Sequence, residues 1–215
     1  MKLEYFGHSF WKVSSAQAAV VIDPYDNIGY PLPKDLRADA VCVSHDHHDH
    51  NNVSLIKGNP EVLSKPGVYE RQGFSAELIS VFHDAELGTK RGRNNLIKLT
   101  MDGLQLVHCG DLGHLPGAGV LEKLGKPDLL LVPVGEIYTL ALEDIRQLIT
   151  ALQPVLVFPM HYSTPALSFR LGALEAFTRL YDNVIRYKSN RLEITSELLA
   201  TPHTVILDWA VREME

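Results

Sequence analysis

The chain has 215 residues, 46% of them hydrophobic and 21% charged, which fits a folded protein and excludes a disordered or fibrous one. Its formal net charge of -6 argues against a broad basic surface for gripping long nucleic acid. Two cysteines, Cys42 and Cys109, are too few for a disulfide framework. Met1-Lys2-Leu3-Glu4-Tyr5 has no signal-peptide core and no apolar run approaches the ~20 residues that span a bilayer, so a reduced, cytoplasmic protein is expected.

In chain order, Leu3 to Phe6 and Phe10 to Val13 read as short strands around the turn Gly7-His8-Ser9, and Ala18 to Ile22 reads as a third because Val and Ile dominate. Asp23-Pro24 stops it, and Asp23, taken by itself, is open between a simple turn cap and a functional carboxylate. Ala40 to Val43 is a buried strand that delivers Ser44-His45-Asp46-His47-His48-Asp49-His50, a run holding four of the ten histidines. Asn51-Asn52 caps a brief helix around Val53 to Ile56, closed by Gly58-Asn59-Pro60. Glu61 to Leu63 and Val68-Tyr69 are short strands, and Leu78 to Phe82 is an apolar one ending at His83-Asp84. A basic turn, Arg91-Gly92-Arg93-Asn94, leads into the hairpin Leu96 to Met101, Asp102-Gly103, Leu104 to Val107, which ends in His108-Cys109-Gly110-Asp111. Val120 to Leu124 has a short helical pattern, Leu129 to Val132 is a strand closed by Pro133, and Ala141 to Leu152 repeats apolar residues at helical spacing. Val155 to Phe158 delivers Met160-His161-Tyr162. Leu167 to Tyr181 reads as one more helix, with late strands at Arg191 to Ile194 and Thr204 to Leu207. No repeat, low-complexity tract or linker divides the chain, so residues 1–215 are expected to form one domain.

The histidine run points to chemistry. Imidazole nitrogen and carboxylate oxygen are the donors that borderline divalent ions such as zinc accept. Side chains two apart on an extended backbone share a side, so His45, His47 and Asp49 can converge, with His50 following at a bend. Separate strands end in His45, His83, Asp111 and His161, and strands of one sheet present their ends along one edge, so these groups are expected to meet. With His47, Asp49 and His50 they offer five histidines and two aspartates, enough for two ions with positions left for water. Asp111, having two oxygens, can bridge both.

Taken together, Gly7-His8-Ser9, Ile22-Asp23-Pro24, His45-x-His47-x-Asp49-His50, His83-Asp84 with Arg91-Gly92-x-Asn94, Gly110-Asp111-Leu112-Gly113-His114, Pro133-Val134-Gly135 and Pro159-Met160-His161-Tyr162 form an order that resembles the metallo-β-lactamase superfamily. Within it, the chain is similar to a group of small metal-dependent hydrolases that look like the ascorbate-phosphate lactonases. The resemblance implies an α/β fold, a four-layer αββα sandwich with its site at one edge of the two sheets. It also implies one ion at His45, His47 and His83, another at Asp49, His50 and His161, and Asp111 shared. Zinc is the expected metal, with manganese, iron or nickel as substitutes. Asp23 looks like the family's buried aspartate that orients the histidine loop without touching metal. Asp46 and His48 fall at variable positions of the pattern and are read as non-ligands, His108 as a satisfied core group, His203 as a surface residue and Cys109 as packing. His8 and His114 are open between pocket-lining and ordinary loop roles. Glu136 stands where relatives often carry a further glycine.

The chemistry so implied is hydrolysis, in which an ionised water attacks an ester, lactone or phosphodiester of a small molecule, with Asp49 and Asp111 as the catalytic carboxylates. A small-molecule partner is expected, with no long nucleic acid and no membrane, and the lactonase-like relatives suggest a homo-oligomer. The alternative is a non-catalytic metal-binding or regulatory protein on the same fold. An iron oxidoreductase is disfavoured, because the family's diiron oxygen reductases replace a central histidine of the run by glutamate, and His47 stands there.

Overall fold

Two β-sheets pack face to face in the computed structural model, which describes residues 1–209. The first sheet contains β1 (Lys2–Gly7), β2 (Phe10–Ser14), β3 (Ala19–Ile22), β4 (Ala40–Cys42), β5 (Glu61–Leu63) and a late strand, β13 (Arg191–Glu193), in the order β13-β1-β2-β3-β4-β5. The second contains β6 (Gly67–Arg71), β7 (Phe74–Phe82), β8 (Arg93–Met101), β9 (Leu104–His108), β10 (Leu129–Pro133), β11 (Leu156–Met160), β12 (Val184–Tyr187) and β14 (His203–Leu207), in the order β12-β14-β11-β10-β9-β8-β7-β6. Helices α1 (Ala118–Leu124), α2 (Leu142–Leu152) and α3 (Leu174–Thr178) lie outside the second sheet. No helix among the described residues is long and apolar enough to cross a membrane.

Side-chain alternation builds the layers. In β10, Leu129 and Leu131 enter the core between the sheets, while Leu130 and Val132 enter the core under the helices. A strand buried on both faces therefore reads as a continuous apolar run. From α2, Ile145, Leu148 and Leu152 are buried in the same outer core, as their spacing predicts. The outer face of the first sheet is covered differently. Val21 and Val41 pack under Tyr25, Ile28, Tyr30, Leu36 and Ile56, which belong to irregular chain and to the end of a short 3₁₀ turn, Val53–Leu55.

Three expectations are corrected. The segment Leu167 to Tyr181 is not one helix, because its apolar residues serve two cores: Leu167 and Phe169 pack outside the first sheet, whereas Leu174 and Phe177 pack under the helical layer. The chain crosses between them through Gly172, whose N–H bonds Gly135 O at 2.8 Å, and only Leu174–Thr178 is helical. Arg93 and Asn94 belong to β8 rather than to a turn, paired with Phe82 and Val81. The ends that carry the donor residues also come from two sheets rather than one: β4 lies in the first, and β7, β9 and β11 lie in the second. The half-exposed strand β12 lacks a strong apolar pattern and escaped sequence reading.

Candidate metal centre

The C-terminal ends of β4, β7, β9 and β11 meet at one rim of the sandwich and bring His45, His83, Asp111 and His161 together with His47, Asp49 and His50. Donor atoms of His45, His47 and His83 lie within 4.8 Å of one another, as do those of His8, Asp49, His50 and His161, and those of His45, His50 and Asp111. Asp111 stands at the middle: Oδ2 is 3.2 Å from His161 Nε2, 3.3 Å from His83 Nε2 and 3.9 Å from His45 Nε2, and Oδ1 is 3.4 Å from His50 Nε2. His47 is the least buried of these histidines, and Asp49 is part-buried. His48, although exposed on the same cleft, belongs to none of the three donor groups, and Asp46 is engaged by Asn51 at 2.5 Å.

The support beneath the histidine run starts at Asp23, which is fully buried at the end of β3. Its Oδ1 accepts the Ser44 N–H at 2.7 Å, and its Oδ2 accepts the Ser44 hydroxyl at 2.6 Å and His50 Nδ1–H at 2.9 Å. Ser44 Oγ lies 2.8 Å from His45 Nδ1, so a relay from His45 through Ser44 to Asp23 places that ring's proton on Nδ1. His45 is thereby left with a bare Nε2 directed at Asp111, while His50 keeps its Nδ1 proton on Asp23 and turns Nε2, the nitrogen it can free, toward Asp111. Burial raises the Asp23 carboxyl, but the His50 hydrogen bond and charge outweigh it and hold the group below its usual range.

Further polar contacts tie the two sheets together at this rim. His161 N–H bonds His8 O at 2.9 Å, His108 Nε2 bonds Ser9 O at 3.0 Å, and the Asn95 side chain donates to Ser44 O at 2.9 Å. Asn94 donates to Cys109 O at 2.8 Å and accepts the Asp111 N–H at 3.0 Å. Gly110 lets the backbone pass here: at φ 53° it is left-handed, and a Cβ would stand 2.2 Å from Asn94 Oδ1. Asn95 was missed by sequence reading; the available signal was a pair of poor strand formers opening an otherwise apolar strand.

His8, Asp23 and His161 all have positive φ, at 53°, 47° and 52°. Non-glycine residues seldom hold this conformation, and each costs roughly 1 kcal/mol or more. Glu136 is also left-handed, at φ 56°, and its Oε1 accepts the Leu142 N–H at the start of α2 at 3.3 Å. His8 sits behind the cleft with Nε2 3.2 Å from Asp49 Oδ2. Both nitrogens of His114 face backbone, Phe82 N at 3.4 Å and Leu115 O at 3.0 Å, so it braces a loop. His108 is satisfied by Ser9 O and by the Gly110 N–H, and Cys42 and Cys109 are free, buried thiols.

Electrostatics favour neutral His8 and His45 rings beside ionised carboxylates, and a protonated His50, which Asp111 and Asp23 raise against its own burial. Burial, reinforced by the charge of His50, lowers His45 to about 3, and burial with His161 lowers His8 to about 4. Burial acts to raise Asp111, but His161 and His50 hold it well below the ordinary carboxylate range, and His8 does the same for Asp49 against its own burial. Buried His45 Nε2, His50 Nε2 and Asp111 Oδ1 have no hydrogen-bond partner among the described residues. Leaving such atoms unpaired costs about 1–3 kcal/mol each. Neutral imidazole nitrogens and carboxylate oxygens oriented by buried partners form a donor set that fits divalent metal.

The beta-lactamase superfamily domain, as a sequence family, matches residues 2–161. A crystal structure of a Thermotoga maritima protein assigned as a zinc-dependent hydrolase of the metallo-β-lactamase superfamily is similar at 32% identity, with a TM-score of 0.83 over 97% of this chain and 99% of that one. A UPF0173 metal-dependent hydrolase from Pelotomaculum thermopropionicum is 29% identical, covering 76% of this chain and 85% of that protein. One from Archaeoglobus fulgidus is 25% identical, covering 76% and 84%. A metallo hydrolase from Ignicoccus hospitalis, at 24% identity and a TM-score of 0.63 over 83% of this chain and 89% of its own, shares the fold.

Proposed function

The chain belongs to the metallo-β-lactamase superfamily, and from that premise we propose that it is a metal-dependent hydrolase carrying two divalent ions, zinc first among them, that cleaves an ester, lactone or phosphodiester of a small molecule. One ion would be held by His45, His47 and His83, the other by Asp49, His50 and His161, and Asp111 would be shared. The observation that carries this reading is the placement of Asp111 within 3.4 Å of His50, His83 and His161. Divalent ions held there supply Lewis-acid polarisation of a substrate oxygen and lower the pKa of water to about 7.

The chain's own residues do the rest. Asp23 and Ser44 keep the His45 and His50 protons on Nδ1, so that Nε2 is the nitrogen each ring would offer a metal, His50 giving up its Nε2 proton on binding. His8 steadies one oxygen of Asp49, and the part-buried carboxylate, ionised throughout the neutral range, borders the cleft where it can orient an attacking water. The cleft measures about 340 Å³, a size suited to a small molecule rather than a polymer. Free thiols at Cys42 and Cys109 are in keeping with action in the cytoplasm.

Elemental analysis of purified protein, followed by a panel of lactones, esters and bis-p-nitrophenyl phosphate, tests the reading. The expected result is two equivalents of metal and turnover that a chelator abolishes. Fully loaded protein inert to all three classes would leave a metal-binding protein without catalysis. Faster cleavage of the lactones or of the phosphodiester assigns the reaction.

A further inference from the structure

The cleft in front of the donor cluster has a cationic wall that the metal ligands do not use. We infer that Arg91, backed by the ring of Tyr138, forms a subsite for an oxyanion group, carboxylate or phosphate, that the substrate carries away from its scissile bond. This rests on the hydrolase reading above. After His83 the chain loops from Asp84 to Arg91 before entering β8. Asp84 Oδ1 accepts the N–H groups of Glu86 at 2.8 Å and Gly88 at 2.9 Å, and Oδ2 accepts those of Lys90 at 3.1 Å and Arg91 at 2.8 Å. The loop closes tightly, since a Cβ on Gly88 would stand 2.8 Å from Gly92 O. Lys90 and Arg91 are thus tied to the residue next to a proposed metal ligand, and the rim is organised before anything binds.

The two cations differ in what they have left to offer. Lys90 is exposed and its ammonium pairs with Glu86 four residues earlier, which neutralises much of its charge. Arg91 is half-buried and has no carboxylate partner among the described residues. Its guanidinium carbon lies 5.1 Å from the centre of the Tyr138 ring. An aromatic face supports the plane of a guanidinium and leaves its N–H fork free, and that fork matches the two oxygens of a carboxylate or phosphate. Arg91, Tyr138 and Phe169 border the same cleft as Asp49, Asp111 and His161. Arg91 also borders, together with His47, a second hollow of about 400 Å³ beside the His45 loop. In a chain of net charge -6, this partly desolvated, unpaired cation beside the reacting groups selects for an anionic substrate.

The test compares metal-loaded wild type, Arg91→Ala and Arg91→Lys at equal metal content. Calorimetric titration with inorganic phosphate and, separately, succinate reads affinity; rates on mono-p-nitrophenyl glutarate against p-nitrophenyl butyrate read preference for an anionic ester. In Arg91→Ala, affinity for at least one anion should fall about tenfold or more and the preference should shrink to match, with Arg91→Lys recovering part of both. Loss confined to phosphate or to succinate identifies the oxyanion. Unchanged affinities and unchanged ester preference overturn the subsite while leaving the hydrolase reading in place. If neither ester is turned over, the ester reading fails, and the titrations alone decide the subsite.

Discussion

Asp23→Asn separates orientation of the ligands from folding of the loop. Asparagine occupies the left-handed region about as readily as aspartate, so the φ of 47° at this position is not the perturbation. The amide oxygen still accepts the Ser44 N–H. The NH2 group cannot accept from Ser44 Oγ or His50 Nδ1, which removes two charge-assisted bonds worth about 1.5–3 kcal/mol each; new neutral bonds restore about 1 kcal/mol each, leaving a loss of about 1–4 kcal/mol. The larger consequence is a tautomer change. Facing a donor, His50 Nδ1 must accept, and the ring proton moves to Nε2, the atom 3.4 Å from Asp111 Oδ1 and 3.7 Å from Asp49 Oδ2. A protonated Nε2 has no lone pair for metal, and zinc affinity should fall about 10–100-fold. Competition against a chromogenic chelator measures that loss, urea denaturation of metal-free protein measures stability, and nitrogen chemical shifts of the His50 ring report the tautomer. A folded Asp23→Asn protein with wild-type zinc affinity would refute the orientation argument.

Asp111→Ala removes the carboxylate placed among His45, His50, His83 and His161, and should lower metal content below one equivalent and turnover by about a thousandfold or more; full occupancy by elemental analysis would rule out a shared ligand. Metal-free protein should lose stability as pH falls from about 6.5 toward about 4, because His8 and His45, lowered to about 4 and 3 when buried, take up protons first in the unfolded chain. His50 is raised by its aspartates against its own burial, so its contribution is fully present below about 6.5 and is lost only as pH rises from there through its folded value, which leaves the fall below about 6.5 unchanged. Urea midpoints at pH 6.5, 5.5 and 4.5, about one unit apart, check the sign, and a midpoint that rises on acidification would contradict it. Gly113→Ala should destabilise by about 1–3 kcal/mol or more, since the added Cβ would lie 2.3 Å from both His83 C and Asp84 N; an unchanged urea midpoint would show that the turn has more room than its geometry indicates.

Much of the site was legible because its chemistry is written in residue types. Imidazoles and carboxylates crowded after apolar strands need no tertiary information to suggest metal, and Asp111 stood out as a carboxylate delivered by a hairpin. Other parts were hidden because their residues are unremarkable alone. Ser44 and Asn95 acquire meaning only through partners 21 and 51 positions away. His8 and His114, equivalent as loop histidines, separate once packing places one against Asp49 and the other against the backbone of Phe82 and Leu115.

Local physics determined the strands, the amphipathic helix α2 and the supply of metal-type donors, since alternation, helical spacing and ligand chemistry are properties of short segments. Tertiary structure alone decided that the donors arrive from two sheets, that Leu167 to Tyr181 divides between two cores, and that Arg91 is left beside the cleft without a carboxylate partner among the described residues. Those outcomes depend on which distant surfaces bury each other, and a side chain's partner across the fold leaves no periodic trace in the chain that carries it.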